Sequence, residues 1–181
     1  MPNTAVITFG RFNPLTVGHE KLVNTVKRVA FEQNGTPLVY LSHSHDNKRN
    51  PIPYLMKYSL ARTAFGSCVV RSDAKTIMSV VAELDKDYEN IIFVGDCERS
   101  EQMLRLMNKY NGVEYNFNSI QTVSAGGRNT TEYVDAISAT KMRKYVSQND
   151  YNSFVAGLAT NLKPYGRVVY ELVRKGTENA N

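Results

Sequence analysis

Two cysteines among 181 residues, Cys68 and Cys97, stand 29 positions apart with no C-x-x-C spacing. That excludes a disulfide framework and a zinc site, and predicts reduced, buried thiols. Long apolar runs are also missing: nothing approaches the roughly 20 residues of a membrane-spanning helix. Met1 to Thr8 is too short for the apolar region of a signal peptide, so a soluble protein of the cytoplasm, with no membrane partner, is expected. No basic run exceeds two residues (Lys48-Arg49, Arg143-Lys144 and Arg174-Lys175 among them), which excludes the polybasic patch of a nucleic-acid tail. Internal repeats, linkers and low-complexity tracts are absent as well.

What remains is ordinary for one compact domain over residues 1–181: 42% hydrophobic, 22% charged, 11 Gly and 6 Pro. Lys and Arg number 22 against 17 Asp and Glu, a net charge of +5. An excess that small, and scattered, suits a phosphorylated small ligand better than a specific nucleic acid.

The apolar pattern switches between two periods. Thr4 to Phe9, Pro37 to Ser42, Cys68 to Arg71, Asn90 to Gly95 and Ser119 to Ser124 are short, often β-branched runs that predict five strands, with Thr4 to Phe9 and Asn90 to Gly95 read as buried. Between them, Leu22, Val23, Val26, Val29 and Ala30 recur at helical spacing, with Asn34-Gly35 as the stop. Tyr54, Tyr58, Ala61 and Phe65 mark a second helix, Ile77, Val80, Val81 and Leu84 a third, and Met103, Leu104 and Met107 a fourth. The remainder reads as helical around Met142, Tyr145 and Val146, then Tyr151 to Leu158, then Val168 to Leu172. Such alternation predicts an α/β fold: a parallel sheet covered on both faces, with helices at the C-terminal end. Ligands of such sheets bind beyond the C-terminal strand ends, which directs attention to Gly10–His19, Ser42–Pro53, Gly95–Ser100 and Ser124–Ser138.

The first of these turns reads Gly10-Arg11-Phe12-Asn13-Pro14-Leu15-Thr16-Val17-Gly18-His19. It is neither a Walker loop nor G-x-G-x-x-G. It offers backbone N–H groups at a helix start, with Thr16 and His19 on one face of the first turn, where phosphate is favoured. A histidine there can donate to a phosphoryl oxygen as charge builds on it. A second helix start, Ile137-Ser138-Ala139-Thr140-Lys141-Met142-Arg143, has Ser138 as N-cap. Its N–H groups, Thr140, Lys141 and Arg143 can together hold a triphosphate.

These two segments carry a resemblance. T-F-G-R-F-N-P-L-T-V-G-H resembles the H/T-x-G-H signature of the nucleotidyltransferase superfamily, and G-R-F-x-P resembles that of nicotinamide mononucleotide adenylyltransferases. Thr16 stands at the family's first histidine, as in its phosphopantetheine adenylyltransferase branch. S-A-T-K-M-R is similar to the I-S-S-T-x-I-R phosphate motif, with Ala139 at its second Ser and Met142 at its second Ile. The likeness runs from Thr4 to about Leu158, leaving a helical extension from about 159 to 181, and is greatest to short bacteriophage-encoded members, which would place the protein in a host cytoplasm.

The resemblance implies a Rossmann-like fold with a five-stranded parallel sheet, and adenylyl transfer from ATP to a phosphorylated acceptor, nicotinamide mononucleotide first, giving NAD and pyrophosphate. Other acceptors such as phosphopantetheine, CTP as donor, and a nucleotide-binding or virion-associated module without turnover stay open, as does homo-oligomerisation. It further implies His19, Thr16 and Lys141 around the α-phosphate, and Gly10, Arg11, Phe12, Gly18, Ser138, Thr140 and Arg143 among the ATP-binding residues. Mg²⁺ is expected on the nucleotide's phosphates, with no protein metal site.

For the acceptor, Asn13, Lys48, Arg49, Asp96 and Arg128 are the candidates. Lys48 and Arg49 suit its phosphate, and Phe12 and Asp96 suit a pyridinium ring. Asp96 reads equally well as the cap of the helix that follows it. His43 and His45 lack a third ligand, so they predict no metal.

Overall fold

The computed structural model describes residues 3–126 and 137–178. The chain forms two compact units: Met1–Phe9, Leu22–Tyr40 and Val70–Thr130 make one, and Gly10–Lys21, Leu41–Val69 and Thr131–Asn181 the other. The first is a layered α/β unit. Its strands β1 (Thr4–Gly10), β2 (Thr36–Leu41), β3 (Asn90–Gly95) and β4 (Ser119–Ser124) form a four-stranded parallel sheet in the order β2-β1-β3-β4.

Alternation along the strands decides which helix covers which face. Ala5, Ile7, Ile91 and Phe93 pack with Val80, Val81 and Leu84 of α3 (Ile77–Leu84) and Met107 of α4 (Cys97–Tyr110). Val6, Ile92 and Val94 pack instead with Val26, Val29 and Ala30 of α1 (Val17–Glu32). Each such side chain taken fully out of water contributes about 1.5–3 kcal/mol, so the sheet is held mainly by these two cores. The α1 helix stops where Asn34 adopts φ 50° and the Gly35 N–H donates to the Ala30 carbonyl at 2.8 Å.

Among the described residues four strands are present where five are expected. The stretch Cys68 to Arg71 is not a strand: Gly66–Cys68 is a 3-10 turn, and the Ser72 hydroxyl accepts the Ala74 N–H at 3.0 Å, bending the chain again. Only Val69, Val70 and Arg71 are left between them. The Val70 N–H donates to the Val39 carbonyl at 3.0 Å, but so short a stretch does not extend into a ladder. Of the two thiols expected to be reduced and buried, one departs from expectation in its exposure. Both are free, Cys68 is buried, and Cys97 is exposed at the first position of α4, its Sγ 3.0 Å from the Ser124 hydroxyl.

The second unit is helical: α2 (Tyr54–Phe65), α5 (Ala139–Ser147), α6 (Tyr151–Gly157) and α7 (Gly166–Glu178), with a 3-10 segment at Thr160–Tyr165. Met142, Val146, Phe154, Leu158, Leu162, Val169 and Val173 are its core. The Tyr170 ring meets Phe154 edge-on at 5.2 Å and Tyr151 at 5.3 Å. This core also carries the turn after β1. The Ala159 N–H donates to the Leu15 carbonyl at 3.2 Å, and Thr160 donates twice to the Glu20 carboxylate, at 3.1 and 2.9 Å.

Candidate phosphate-binding site

Every residue of the site described next belongs to the helical unit. It begins at Gly10, where a side chain would collide with the buried Phe12 ring, so the absence of a Cβ makes room for that ring. Phe12 itself has φ 47°, a conformation that costs a non-glycine residue about 1–3 kcal/mol and persists only where the surroundings enforce it. Asn13 supplies that enforcement. Its side-chain amide donates to the Ile52 carbonyl at 2.9 Å and accepts the Ile52 N–H at 3.1 Å, both buried. On the far side, the Asn13 carbonyl, which precedes a cis Pro14, accepts from Arg143 Nη1 at 2.9 Å.

Thr16 caps α1: its hydroxyl accepts the His19 N–H at 3.3 Å. The same residue orients the imidazole, because the Thr16 N–H donates to His19 Nδ1 at 3.0 Å. A backbone N–H can only donate, so Nδ1 is an acceptor and the neutral ring keeps its proton on Nε2. Burial, and then the positive charge of Arg11, push His19 down to about 4. The ring is therefore neutral at physiological pH, a donor at Nε2, with no hydrogen-bond partner for that atom among the described residues. Phe12 backs it at 4.7 Å and Phe65 backs Phe12 at 6.2 Å. Phe12, fully buried, thus supports the histidine and offers no ring face to a ligand.

Five residues from three segments line a cavity of about 480 Å³: Arg11, Lys48, Arg49, Thr140 and Arg143. Four are cations and none is a carboxylate. Arg143 is fixed by the Asn13 carbonyl and by the Thr140 hydroxyl at 3.1 Å. Burial holds its guanidinium below the ordinary value, with Arg11 and Arg49 adding repulsion and Asp46 opposing. Ser138 is the N-cap of α5, accepting the Lys141 N–H at 3.2 Å, as its motif predicts. The Lys141 side chain is exposed and is not among the cavity's lining residues.

Lys48 and Arg49 reach the cavity from a tight loop that is organised by a residue the sequence reading passed over. Asp46 Oδ1 accepts the N–H groups of Lys48 (2.9 Å) and Arg49 (2.6 Å), and Oδ2 accepts from the Asn50 amide at 2.5 Å. Those bonds, Arg49's first, hold the Asp46 carboxyl down to about 2. The signal was available: an aspartate followed two and three positions on by residues whose amides it can cap is an Asx-turn pattern. Lys57, fully buried on α2, was also missed, although it lies three residues after Tyr54 and four before Ala61.

Other expected residues lie elsewhere. Asp96 belongs to the sheet unit and caps α4, accepting the Arg99 N–H at 2.8 Å. Arg128 lies outside the described residues. His43 stacks on Tyr54 at 3.7 Å and His45 is exposed; among the described residues no three His, Cys, Asp or Glu side chains group to hold a metal. A scan against protein-family models finds no match for the chain, and a search of curated proteins finds none either.

Proposed function

We propose that the protein is a nucleotidyltransferase that moves the adenylyl group of ATP onto a small phosphorylated acceptor, nicotinamide mononucleotide first among them. The observation that carries the reading is the carboxylate-free cavity of Arg11, Lys48, Arg49, Thr140 and Arg143, with Arg11 also bearing on a histidine kept neutral. Unpaired cations held together repel one another, so a multiply charged anion is the ligand that relieves them. An oligophosphate is such an anion.

In the reaction an oxygen of the acceptor phosphate attacks the α-phosphorus of ATP, the bond from that phosphorus to the bridging oxygen breaks, and pyrophosphate leaves. The acceptor oxygen is already anionic, so no base is needed. His19 Nε2–H donates to the α-phosphoryl oxygens as charge grows on them, and its neutrality lets it do so across physiological pH. Thr16 holds the ring's tautomer. Arg143, Arg11 and the start of α5 take the leaving phosphates, and Lys48 and Arg49 take the acceptor phosphate. Mg²⁺, held mainly by the nucleotide's phosphates, would supply further counter-charge there; the five lining residues include no carboxylate.

Incubating the pure protein with each nucleoside triphosphate and each candidate acceptor, and measuring pyrophosphate, tests the proposal. Turnover with ATP and nicotinamide mononucleotide supports it in full. Turnover only with phosphopantetheine, or only with CTP, replaces the substrates and keeps the mechanism. Tight nucleotide binding with no pyrophosphate from any pair makes the protein a binding module.

A further inference from the structure

Lys57 is the one fully buried cation among the described residues, and it has no carboxylate partner there. Its Nζ donates to the Ser42 carbonyl at 2.6 Å, leaving two of the three ammonium protons unused. The buried Ser42 hydroxyl and the buried Asn50 Oδ1 also lack partners among the described residues. A methionine or leucine would fill the same place on the apolar stripe of α2 without the cost of a buried charge. Burial alone pushes the amine down to about 8. What the lysine does that an apolar residue could not is hold that carbonyl.

Ser42 is a strategic place to hold. Its N–H donates to the Gly10 carbonyl at 2.8 Å, so Lys57 secures the other side of the same residue. From Ser42 the chain runs into the Asp46–Asn50 turn that presents Lys48 and Arg49 to the cavity, and at Ile52 it is fastened again by Asn13. The basic turn thus has one fastened end at Ser42 and one at Ile52.

We propose that Lys57 is a positioning residue which, through the Ser42 carbonyl, fixes the start of this loop so that Lys48 and Arg49 together meet an oligophosphate anion. The inference rests on the phosphate-binding part of the reading above and not on turnover. Its test is calorimetry of inorganic tripolyphosphate binding to the full chain, comparing wild type, Lys57→Met, Lys57→Gln, Lys48→Ala/Arg49→Ala and the triple variant that adds Lys57→Met, with thermal melting of each. Lys57→Met should weaken binding about 5- to 10-fold in the wild-type background and less than about 2-fold once Lys48 and Arg49 are gone, because residues acting through one another are not additive. A folded Lys57→Met with wild-type affinity, or equal losses in both backgrounds, overturns the proposal. Loss of the melting transition in both Lys57→Met and Lys57→Gln overturns it too, by showing that the ammonium serves the fold as a whole. Should the wild type bind no tripolyphosphate, the reading of the cavity itself fails, an outcome distinct from the others.

Discussion

Two helices of this protein start in the same way and are prepared for opposite company. Both α4 and α5 follow an extended N-cap whose side chain accepts the N–H three residues on, from Arg99 in one and Lys141 in the other. In α4 the cap is Asp96 and the first turn adds Glu98, so the positive end of the helix is already matched by carboxylates. In α5 the cap is the neutral Ser138 and the first turn has no acid; Thr140 and Arg143 line a cavity with three more cations. A helix start by itself says little about ligands. The charge of its cap and first turn separates a structural start from one left open to phosphate.

The largest effect should come where the open end meets the chemistry. His19→Ala is expected to lower pyrophosphate release by about 100-fold or more with little change in nucleotide affinity, because its donor acts on charge that develops late. The same residue makes a pH prediction. The unfolded chain takes up a proton near 6.5 that the folded ring refuses until about 4, so the stability His19 contributes is complete above 6.5 and is lost as pH falls toward 4. Melting curves of His19→Gln should be flatter than wild type across that window; parallel curves would contradict the neutral buried ring.

Next in size, Arg143→Ala should weaken ATP binding by about 10- to 100-fold, the range for a charge-assisted hydrogen bond, and weaken AMP binding less. Equal losses for the two nucleotides would assign Arg143 to the Asn13 carbonyl alone. Ser138→Asp turns the α5 start into a copy of α4. Aspartate caps as well as serine, so the melting temperature should hold while ATP binding falls about 5- to 10-fold from the added carboxylate. Unchanged affinity would separate the α5 start from the phosphates. The smallest effect is the converse: Asp96→Ser should change stability by less than about 0.5 kcal/mol and leave ATP binding within about 2-fold, as calorimetry would show.

How much of this could be read beforehand follows from how local each feature is. The strands Asn90–Gly95 and Ser119–Ser124 were legible to the residue, the first as a buried apolar run and the second, which is only half-buried, as a short β-branched run between serines, and Ser138 because capping depends on its own helix. Thr16 and His19 were legible as a pair, yet their division of labour was not: that Thr16 fixes the tautomer depends on a backbone N–H pointing at Nδ1. The gathering of Lys48 and Arg49 with Thr140 and Arg143 around one cavity is a tertiary fact between segments about 90 residues apart, which no local pattern encodes. The failed strand at Cys68 to Arg71 had suitable residues but turns on both sides, and Lys57 was hidden by the habit of treating a lysine as solvent-facing.

The proposed adenylyl transfer at the basic cavity is tested most directly by ³¹P NMR of ATP with nicotinamide mononucleotide and the wild-type protein. It predicts that the three ATP resonances give way to free pyrophosphate and the paired signals of a dinucleotide pyrophosphate, a conversion suppressed in His19→Ala. A spectrum that stays unchanged, or that shows orthophosphate and ADP from attack at the γ-phosphorus instead, would contradict it.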